Sequence, residues 1–267
     1  MTITGGVDIG STYTKVVVLK DDIVAGYGIQ PTGASSEGAA QAAMKDALAM
    51  SGLSLDDIQY IVSTGYGRRV TSLSNETISE ISANGRGSKW IGEKQDIRTI
   101  IDIGGQDTKV IALDDNLDIL DFRMNDKCAA GTGRFLEVLA NELKVPLDDM
   151  GGLSLNAENP VEITTTCLVF AKSEVASLIA KGAKKEDIIA GIHIAIARRL
   201  IVMAKKVGIR EVVFFDGGPA RNIGMRKAFE DELGMKIYVT EHPQIVTATG
   251  AALIAKETFE SKGAGSA

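Results

Sequence analysis

Short apolar runs alternate with glycine-containing turns in the first part of the chain. The run "GGVDI" (5–9) predicts a buried strand that ends at a tight turn, and the β-branched "TKVVVLK" (14–20) predicts its antiparallel partner. A third strand is expected at "IVAGYGI" (23–29). The alanine-rich stretch 36–52 predicts a helix that begins at Ser-Ser-Glu and stops at a glycine, and 57–67 predicts a strand with another glycine turn.

The opening pattern occurs a second time. The stretches "DIGSTYTKVVVLKDDI" (8–23) and "DIGGQDTKVIALDDNL" (102–117) are identical at eight of sixteen positions with a constant offset of 94. The identical pairs are Asp8/Asp102, Ile9/Ile103, Gly10/Gly104, Thr14/Thr108, Lys15/Lys109, Val16/Val110, Leu19/Leu113 and Asp21/Asp115. An Asp-Ile-Gly and a Thr-Lys in the same register indicate a duplication rather than chance similarity between two β-rich stretches.

Each half therefore begins with an antiparallel meander, because a third strand is again expected at "LDILDFR" (117–123). A long helix is predicted over 184–208, and the buried run in 210–222 predicts a strand that leads into Gly-Gly and a helix over about 220–233. A further helix starts in 247–259. A doubly wound Rossmann chain does not open with hairpins, so the expected fold class is α/β with duplicated domains and mixed sheets.

Composition and charge exclude several classes of function. The chain has 267 residues, 45% of them hydrophobic and only 5% aromatic, and a net charge of −6. An acidic, aromatic-poor chain is a poor ligand for nucleic acid. No apolar run approaches the ~20 residues of a membrane span, and the N-terminus lacks the features of a secretory signal. Because no membrane span is present in the sequence, we expect no membrane partner. Two cysteines make no disulfide scaffold, so we expect a location in the reducing cytoplasm.

The two glycine turns are candidate phosphate sites. After a strand-ending aspartate, Gly10, Ser11 and Thr12 can offer backbone N–H groups and hydroxyls to an anion, and Lys15 adds positive charge. Asp8 and its repeat Asp102 are oxygen ligands suited to a hydrated Mg²⁺ ion. The alternative is a pair of ordinary hairpin turns, which the duplication disfavours. The chain contains no P-loop motif and no convincing Ser-His-Asp set.

The segment "NDKCAAGTGRF" (125–135) combines a cysteine with a glycine turn. Gly131, Thr132, Gly133 and Arg134 are candidates for a third phosphate-facing loop, with a glycine-rich helix start as the alternative. Cys128 and Cys167 lie 39 residues apart without a C-x-x-C pair, so spacing alone favours two free thiols. Each cysteine precedes a predicted helix, whose N-terminus would stabilise a thiolate.

These motifs carry a resemblance. The turns "DIGSTYTK" and "DIGGQDTK" with the late "FFDGGPARN" are similar to the phosphate and adenosine motifs of the actin/hexokinase/Hsp70 ATPase superfamily. "STGYGR" (63–68), "IDIGGQD" (101–107), "MNDKCAAGTGRF" (124–135) and "TTTCLVFAKSEV", which contains Cys167, resemble the ATPase activators of 2-hydroxyacyl-CoA dehydratases. That family includes ATPase subunits of benzoyl-CoA reductases and reductases of double-cubane cluster proteins. The resemblance extends from residue 3 to about residue 257.

The resemblance implies a homodimeric actin-like ATPase with a subdomain at 1–95 and a second at 96–267, whose last helix is a candidate to pack on the first. It implies ATP or ADP with Mg²⁺ in each subunit and one [4Fe-4S] cluster per homodimer, held by Cys128 and Cys167 of both copies. ATP would drive low-potential single-electron transfer to an iron–sulfur acceptor enzyme, with ferredoxin or flavodoxin as the donor. The implied nucleotide residues of the second half are Gly104, Gly105, Gln106 and Asp107 at the phosphates and Gly217, Gly218, Asn222 and Gln244 at the adenosine end.

The implied catalytic residues are Asp8, Asp102 and Gln106, with Gln106 orienting the attacking water by analogy with other nucleotide hydrolases. Two other functions remain open on the same fold. One is a small-molecule kinase, which would need a catalytic base and a substrate pocket, and the other is a nucleotide-dependent scaffold or filament protein. Neither function requires cysteines at these positions.

Overall fold

The computed structural model describes residues 1–164 and 167–264, and these residues fall into two units. One unit contains Met1–Ile97, Asp115–Ile119 and the C-terminal segment from Gln244. The other contains Arg98–Asp114 and Leu120–Pro243. The C-terminal segment thus belongs to the unit that holds the N-terminus.

The first unit is a five-stranded mixed sheet with helices on both faces. Its strands, in the spatial order β3-β2-β1-β4-β5, are β1 (Ile3–Ile9), β2 (Tyr13–Lys20), β3 (Ile23–Pro31), β4 (Tyr60–Thr64) and β5 (Glu76–Thr77). The first three strands are antiparallel, and β4 runs parallel to β1. The helices are α1 (Ser36–Ser51), α2 (Glu80–Gln95) and α8 (Val246–Ala264).

The central part of strand β2, residues 16–19, is buried on both faces, which explains its unbroken apolar sequence. Val16 and Val18 pack in a core cluster with α1, whereas Val17 and Leu19 pack in another cluster with α8. Alternate side chains of a strand point to opposite faces, so a strand between two helical layers needs apolar residues at every position. The hairpin that the sequence predicts for β1 and β2 is confirmed, since the two strands pair in antiparallel orientation.

The second unit repeats this arrangement. Its strand order is β10-β9-β6-β7-β8, formed by β6 (Thr99–Ile103), β7 (Thr108–Leu113), β8 (Ile119–Asn125), β9 (Val213–Gly217) and β10 (Ile237–Tyr238). Its helices are α3 (Gly133–Leu143), α4 (Met150–Ser154), α5 (Leu168–Ala180), α6 (Lys185–Val207) and α7 (Ile223–Leu233). The predicted fold class, with mixed sheets that open with antiparallel strands, is confirmed.

The strand register preserves the sequence repeat. Asp8 pairs with Lys15 across β1 and β2, and Asp102 pairs with Lys109 across β6 and β7. In each unit a glycine with positive φ lies at the carboxyl end of the parallel neighbour strand: Gly65 (+87°) directly follows β4, and Gly217 (+85°) is the last residue of β9. A Cβ at either glycine would collide with the carbonyl group at the end of β1 or β6 and lie within 2.8 Å of the adjacent aspartate carboxylate. Glycine is therefore required at both positions.

The two halves differ in length between the third strand and the next helix. β3 ends at Pro31 and β8 at Asn125, which keeps the offset of 94. The N-cap residues of α1 and α3 are Ser35 and Thr132, which are offset by 97. The second half thus has three extra residues in this connection, and Cys128 lies within it.

Candidate functional site

The first glycine turn lies between β1 and β2 and is held by Thr32. The Thr32 amide donates to the carbonyl of Thr12 at 2.9 Å, and the Thr32 hydroxyl donates to the carbonyl of Gly10 at 2.8 Å. Gly10, Ser11 and Thr12 are all partly exposed. The turn therefore presents a fixed backbone and two hydroxyl side chains at the carboxyl end of β1.

Asp8 has one paired and one unpaired carboxylate oxygen. Lys15 Nζ donates to Asp8 Oδ2 at 2.8 Å. Asp8 Oδ1 is buried and has no hydrogen-bond donor among the residues that the structure describes. An unsatisfied buried carboxylate oxygen is costly unless a cation or water occupies the space beside it. Lys15 thus neutralises Asp8 in addition to the phosphate role expected from its charge.

The second glycine turn, between β6 and β7, contains a buried charge cluster. Lys109 Nζ lies 3.2 Å from Asp102 Oδ2 and 3.0 Å from Asp107 Oδ2, and the lysine side chain is 0% exposed. Sequence reasoning singled out Lys15 but not its repeat Lys109. The signal was present, because Lys109 is one of the eight identical positions. At the tip of the turn, Gln106 is exposed.

Residues 131–134 are bound directly to the second glycine turn. The amide of Gly133 donates to the carbonyl of Gly104 at 2.8 Å, and that of Arg134 donates to Gly105 at 2.9 Å. The Gly133 amide, which was a candidate for phosphate, is thus engaged with the turn. Thr132 is fully buried, and the Arg134 guanidinium pairs with Glu137 at 2.8 Å on the surface of α3.

The residues expected at the adenosine end divide between the units. Gly217 ends β9 in the second unit, beside Asp102, and Gly218 begins the 3-10 turn that follows, while Gln244 belongs to the first unit. Asn222 caps α7, since its Oδ1 accepts from the amide of Met225 at 3.0 Å. The sequence predicted a helix over about 220–233, which included Asn222; the structure begins the helix at Ile223 and places Asn222 at the N-cap, a position that asparagine favours.

His193 lies behind Asn222 and is buried in the core of the second unit. Its Nε2 is 3.2 Å from Asn222 Nδ2. Burial lowers the pKa of His193 to about 3, so the imidazole is neutral at physiological pH. A buried, neutral imidazole at this position is a packed rather than a catalytic group.

The two cysteines are free thiols of the second unit. Cys128 is partly buried in the connection between β8 and α3, where it packs against the main core cluster. Cys167 is exposed and is the N-cap residue of α5. Helices α3 and α5, which follow the two cysteines, pack against each other. The motif around Cys167 includes Thr165 and Thr166, which lie outside the described residues.

No group of three or more His, Cys, Asp and Glu side chains within 1–164 and 167–264 is arranged to hold a metal ion. In the same ranges, no helix combines the length and apolar character that crossing a membrane requires.

Comparison with known proteins identifies the family. The sequence profile of the BadF/BadG/BcrA/BcrD ATPase family matches residues 6–255. The chain belongs to the BadF/BadG/BcrA/BcrD ATPase family. The resemblance inferred from the glycine turns and the cysteine motifs is therefore confirmed at the level of the family.

Two proteins named as dehydratase activators are similar to the chain over nearly its whole length. The 2-hydroxyisocaproyl-CoA dehydratase activator of Clostridioides difficile is 46% identical over 254 residues, which cover 94% of each chain. The (R)-2-hydroxyglutaryl-CoA dehydratase activating ATPase of Acidaminococcus fermentans is 42% identical over 255 residues, which cover 94% of this chain and 96% of the relative.

A solved structure of the family has the same fold. The structure of the 2-hydroxyisocaproyl-CoA dehydratase activator from Clostridium difficile with bound ADPNP aligns with a TM-score of 0.92 and 42% identity. The alignment covers 98% of this chain and 97% of that structure. The fold is thus that of the actin-like ATPases, and its relative binds an ATP analogue.

Proposed function

We propose that this protein is an ATP-dependent reductive activator, a homodimeric ATPase that couples ATP binding and hydrolysis to low-potential single-electron transfer to an iron–sulfur partner enzyme. The observation that carries the proposal is the position of Cys128. It lies in a segment whose next residues, 131–134, are hydrogen-bonded to the second glycine turn. A structural change at the second glycine turn would therefore occur only a few residues from Cys128, whose thiol is free to bind a metal cluster.

The nucleotide would be held by residues of the two glycine turns. Asp8 and Asp102 are the candidates for a hydrated Mg²⁺ ion, and the unpaired buried Oδ1 of Asp8 fits a cation or its water shell. When bound, the ion neutralises charge on the phosphate oxygens. Gly10, Ser11 and Thr12 would bind phosphate oxygens, and exposed Gln106 would orient the attacking water.

The donor set for a cluster is Cys128 and Cys167. A [4Fe-4S] cluster requires four thiolates, and one chain supplies two, so we propose that a second copy supplies the others. Both residues fit this role because they are free thiols: Cys167 is the N-cap residue of α5, where a partial positive charge stabilises a thiolate, and Cys128 lies in the connection that leads into α3. When bound, the cluster supplies one-electron chemistry at low potential.

The partner is proposed from the names of the relatives, which activate CoA-ester dehydratases. We infer that the acceptor is an iron–sulfur enzyme of the 2-hydroxyacyl-CoA dehydratase, benzoyl-CoA reductase or double-cubane cluster type. Ferredoxin or flavodoxin would supply the electron in the cytoplasm.

Anaerobic purification tests the proposal. The protein should be brown and contain about four iron atoms per pair of chains. Cys128→Ser and Cys167→Ser should each remove the iron while nucleotide affinity stays nearly unchanged. Asp102→Asn should show the reverse, with iron retained and ATPase activity lost. A colourless wild-type protein with full ATPase activity, or one that phosphorylates a small molecule, would contradict the proposal.

A further inference from the structure

The backbone around Cys128 is held by side chains rather than by regular secondary structure. The carbonyl oxygens of four successive residues, 128–131, each accept a hydrogen bond from a side chain. Asn125 Nδ2 donates to the first and the third carbonyl, at 2.8 and 3.3 Å. Thr132 Oγ1 donates to the second at 2.6 Å, and Thr108 Oγ1 donates to the fourth at 2.6 Å. We call residues 125–132 the clamped segment.

The clamped segment is fixed to the second glycine turn at its C-terminal end. Thr108 is the first residue of β7, directly after Asp107, and is fully buried. Its hydroxyl therefore links the end of the turn to the carbonyl of Gly131. Together with the amides of Gly133 and Arg134, three hydrogen bonds join the segment and the start of α3 to the turn and to β7.

The first half of the chain lacks this connection. Thr14 is the repeat of Thr108, is equally buried and occupies the same register position, opposite the last residue of its neighbour strand. Its hydroxyl forms a hydrogen bond with the Thr32 hydroxyl at 3.0 Å. No cysteine lies in the connection after β3. The same buried threonine thus supports a short turn in one half and the cysteine-bearing segment in the other.

We propose that Thr108 is a positioning residue that makes the Cys128 segment move together with the second glycine turn. This inference rests on the proposed function, in which the turn binds nucleotide phosphate. Because every carbonyl from residue 128 to 131 is bound by a side chain, the segment has little freedom to absorb a displacement of the turn. A shift of the turn on nucleotide binding is passed to Gly131 by the Thr108 hydroxyl and reaches the Cys128 thiol.

The reactivity of the Cys128 thiol in the iron-free full-length chain tests the inference without relying on electron transfer. The rate of alkylation by iodoacetamide is measured for the Cys128 peptide by mass spectrometry, with and without the non-hydrolysable analogue ADPNP. In the wild type, ADPNP should change this rate. In Thr108→Val the nucleotide effect should be lost, and the basal rate should rise about fivefold, the change that loss of one net hydrogen bond produces in a local opening equilibrium.

Two variants serve as controls. Thr14→Val removes the equivalent buried hydroxyl, which supports the first glycine turn, so it is compared with the wild type at an ADPNP concentration that saturates both. Cys128 reactivity and its response to ADPNP should then be as in the wild type. Thr108→Ser keeps the hydroxyl and should restore the wild-type response, which guards against a general folding defect in Thr108→Val. ADPNP binding by each variant is measured in parallel by calorimetry.

Three results would overturn the inference: a wild-type response in Thr108→Val, an equal loss in Thr14→Val, or no response of Cys128 in a wild type that binds ADPNP. The proposed function fails separately. Wild type purified anaerobically without iron would refute the cluster, even if Thr108 controlled the Cys128 thiol as expected.

Discussion

Lys109 is a completely buried ammonium group between two carboxylates, whereas its repeat Lys15 is 19% exposed and has Asp8 as its ion-pair partner. A buried charge that loses its partner is strongly destabilising, because the remaining charge stays desolvated. Asp102 and Asp107 depend on Lys109 in this way. Lys109 therefore also fixes the carboxylate that we propose for Mg²⁺.

Lys109→Met is expected to lower the free energy of unfolding by about 3 kcal/mol, because two buried carboxylates lose the ammonium group that lies between them. Lys15→Met should cost less, since water can reach the space that it leaves. Urea unfolding of both variants measures the difference. Equal losses would show that the burial of Lys109 has no energetic consequence.

His193 predicts a pH dependence of stability. Its folded pKa of about 3 lies below the ordinary value of 6.5, so the unfolded chain binds more protons between these limits. Stability from this group is complete above pH 6.5 and falls as the pH decreases, by about 2 kcal/mol between pH 7 and pH 5. His193→Gln should lose this part of the slope in urea unfolding at the two pH values. An unchanged slope would contradict the buried neutral state.

Helix α2 shows, at the scale of elements, why part of the fold was not predicted. Its sequence contains Gly85, Gly87 and Gly92, and glycine disfavours helix, so the stretch gave no helical signal. The structure uses Gly87 for close contact with α8, where a Cβ would collide with the carbonyl of Val246. A glycine that locally disfavours helix, such as Gly87, is thus required for tertiary packing, and this packing cannot be predicted from a single sequence.

The same helix pair gives a test of packing. A Cβ at Gly250 of α8 would collide with the carbonyl oxygen of Ala83 in α2. Gly250→Ala should therefore lower stability by about 1–3 kcal/mol or more through overpacking. Gly263→Ala in the same helix meets no atom within 4 Å and should be neutral or slightly stabilising. Thermal unfolding that ranked the two variants alike would contradict the close helix contact.

The strands and helices with strong apolar periodicity were predictable, including the two hairpins, α1 and α6. Short elements such as β10, with two residues, and α4, with a Gly-Gly pair, contain too few apolar positions for a periodic pattern to predict them. For the candidate site, the turns and cysteines followed from motifs. The Lys109 ion pairs and the side-chain hydrogen bonds of the clamped segment depend on strand register and on side-chain rotamers. No sequence motif indicates either of these, so the contacts were not predicted.

The duplication sets the expectations for the whole molecule. Each chain has two equivalent glycine turns but only two cysteines, both in the second unit. If the cluster needs two chains, a dimer holds one cluster, whereas it holds one nucleotide in each of its two chains.

A mixed dimer tests this stoichiometry. A heterodimer of one wild-type chain and one Cys128→Ser/Cys167→Ser chain, isolated with two affinity tags, should hold no stable cluster but should bind nucleotide in both subunits. Iron analysis and calorimetry give the two values. Half of the wild-type iron content would mean that each chain binds its own cluster, and the shared site would then be wrong.

The three-residue difference between the halves has an evolutionary consequence. It is confined to the connection between the third strand and the following helix, while the strand offset of 94 is unchanged on the other side. Connections accept changes in length far more readily than strands do. Two copies of an ancestral ATPase half could therefore diverge in redox chemistry through this one connection, without any rebuilding of the nucleotide-binding framework.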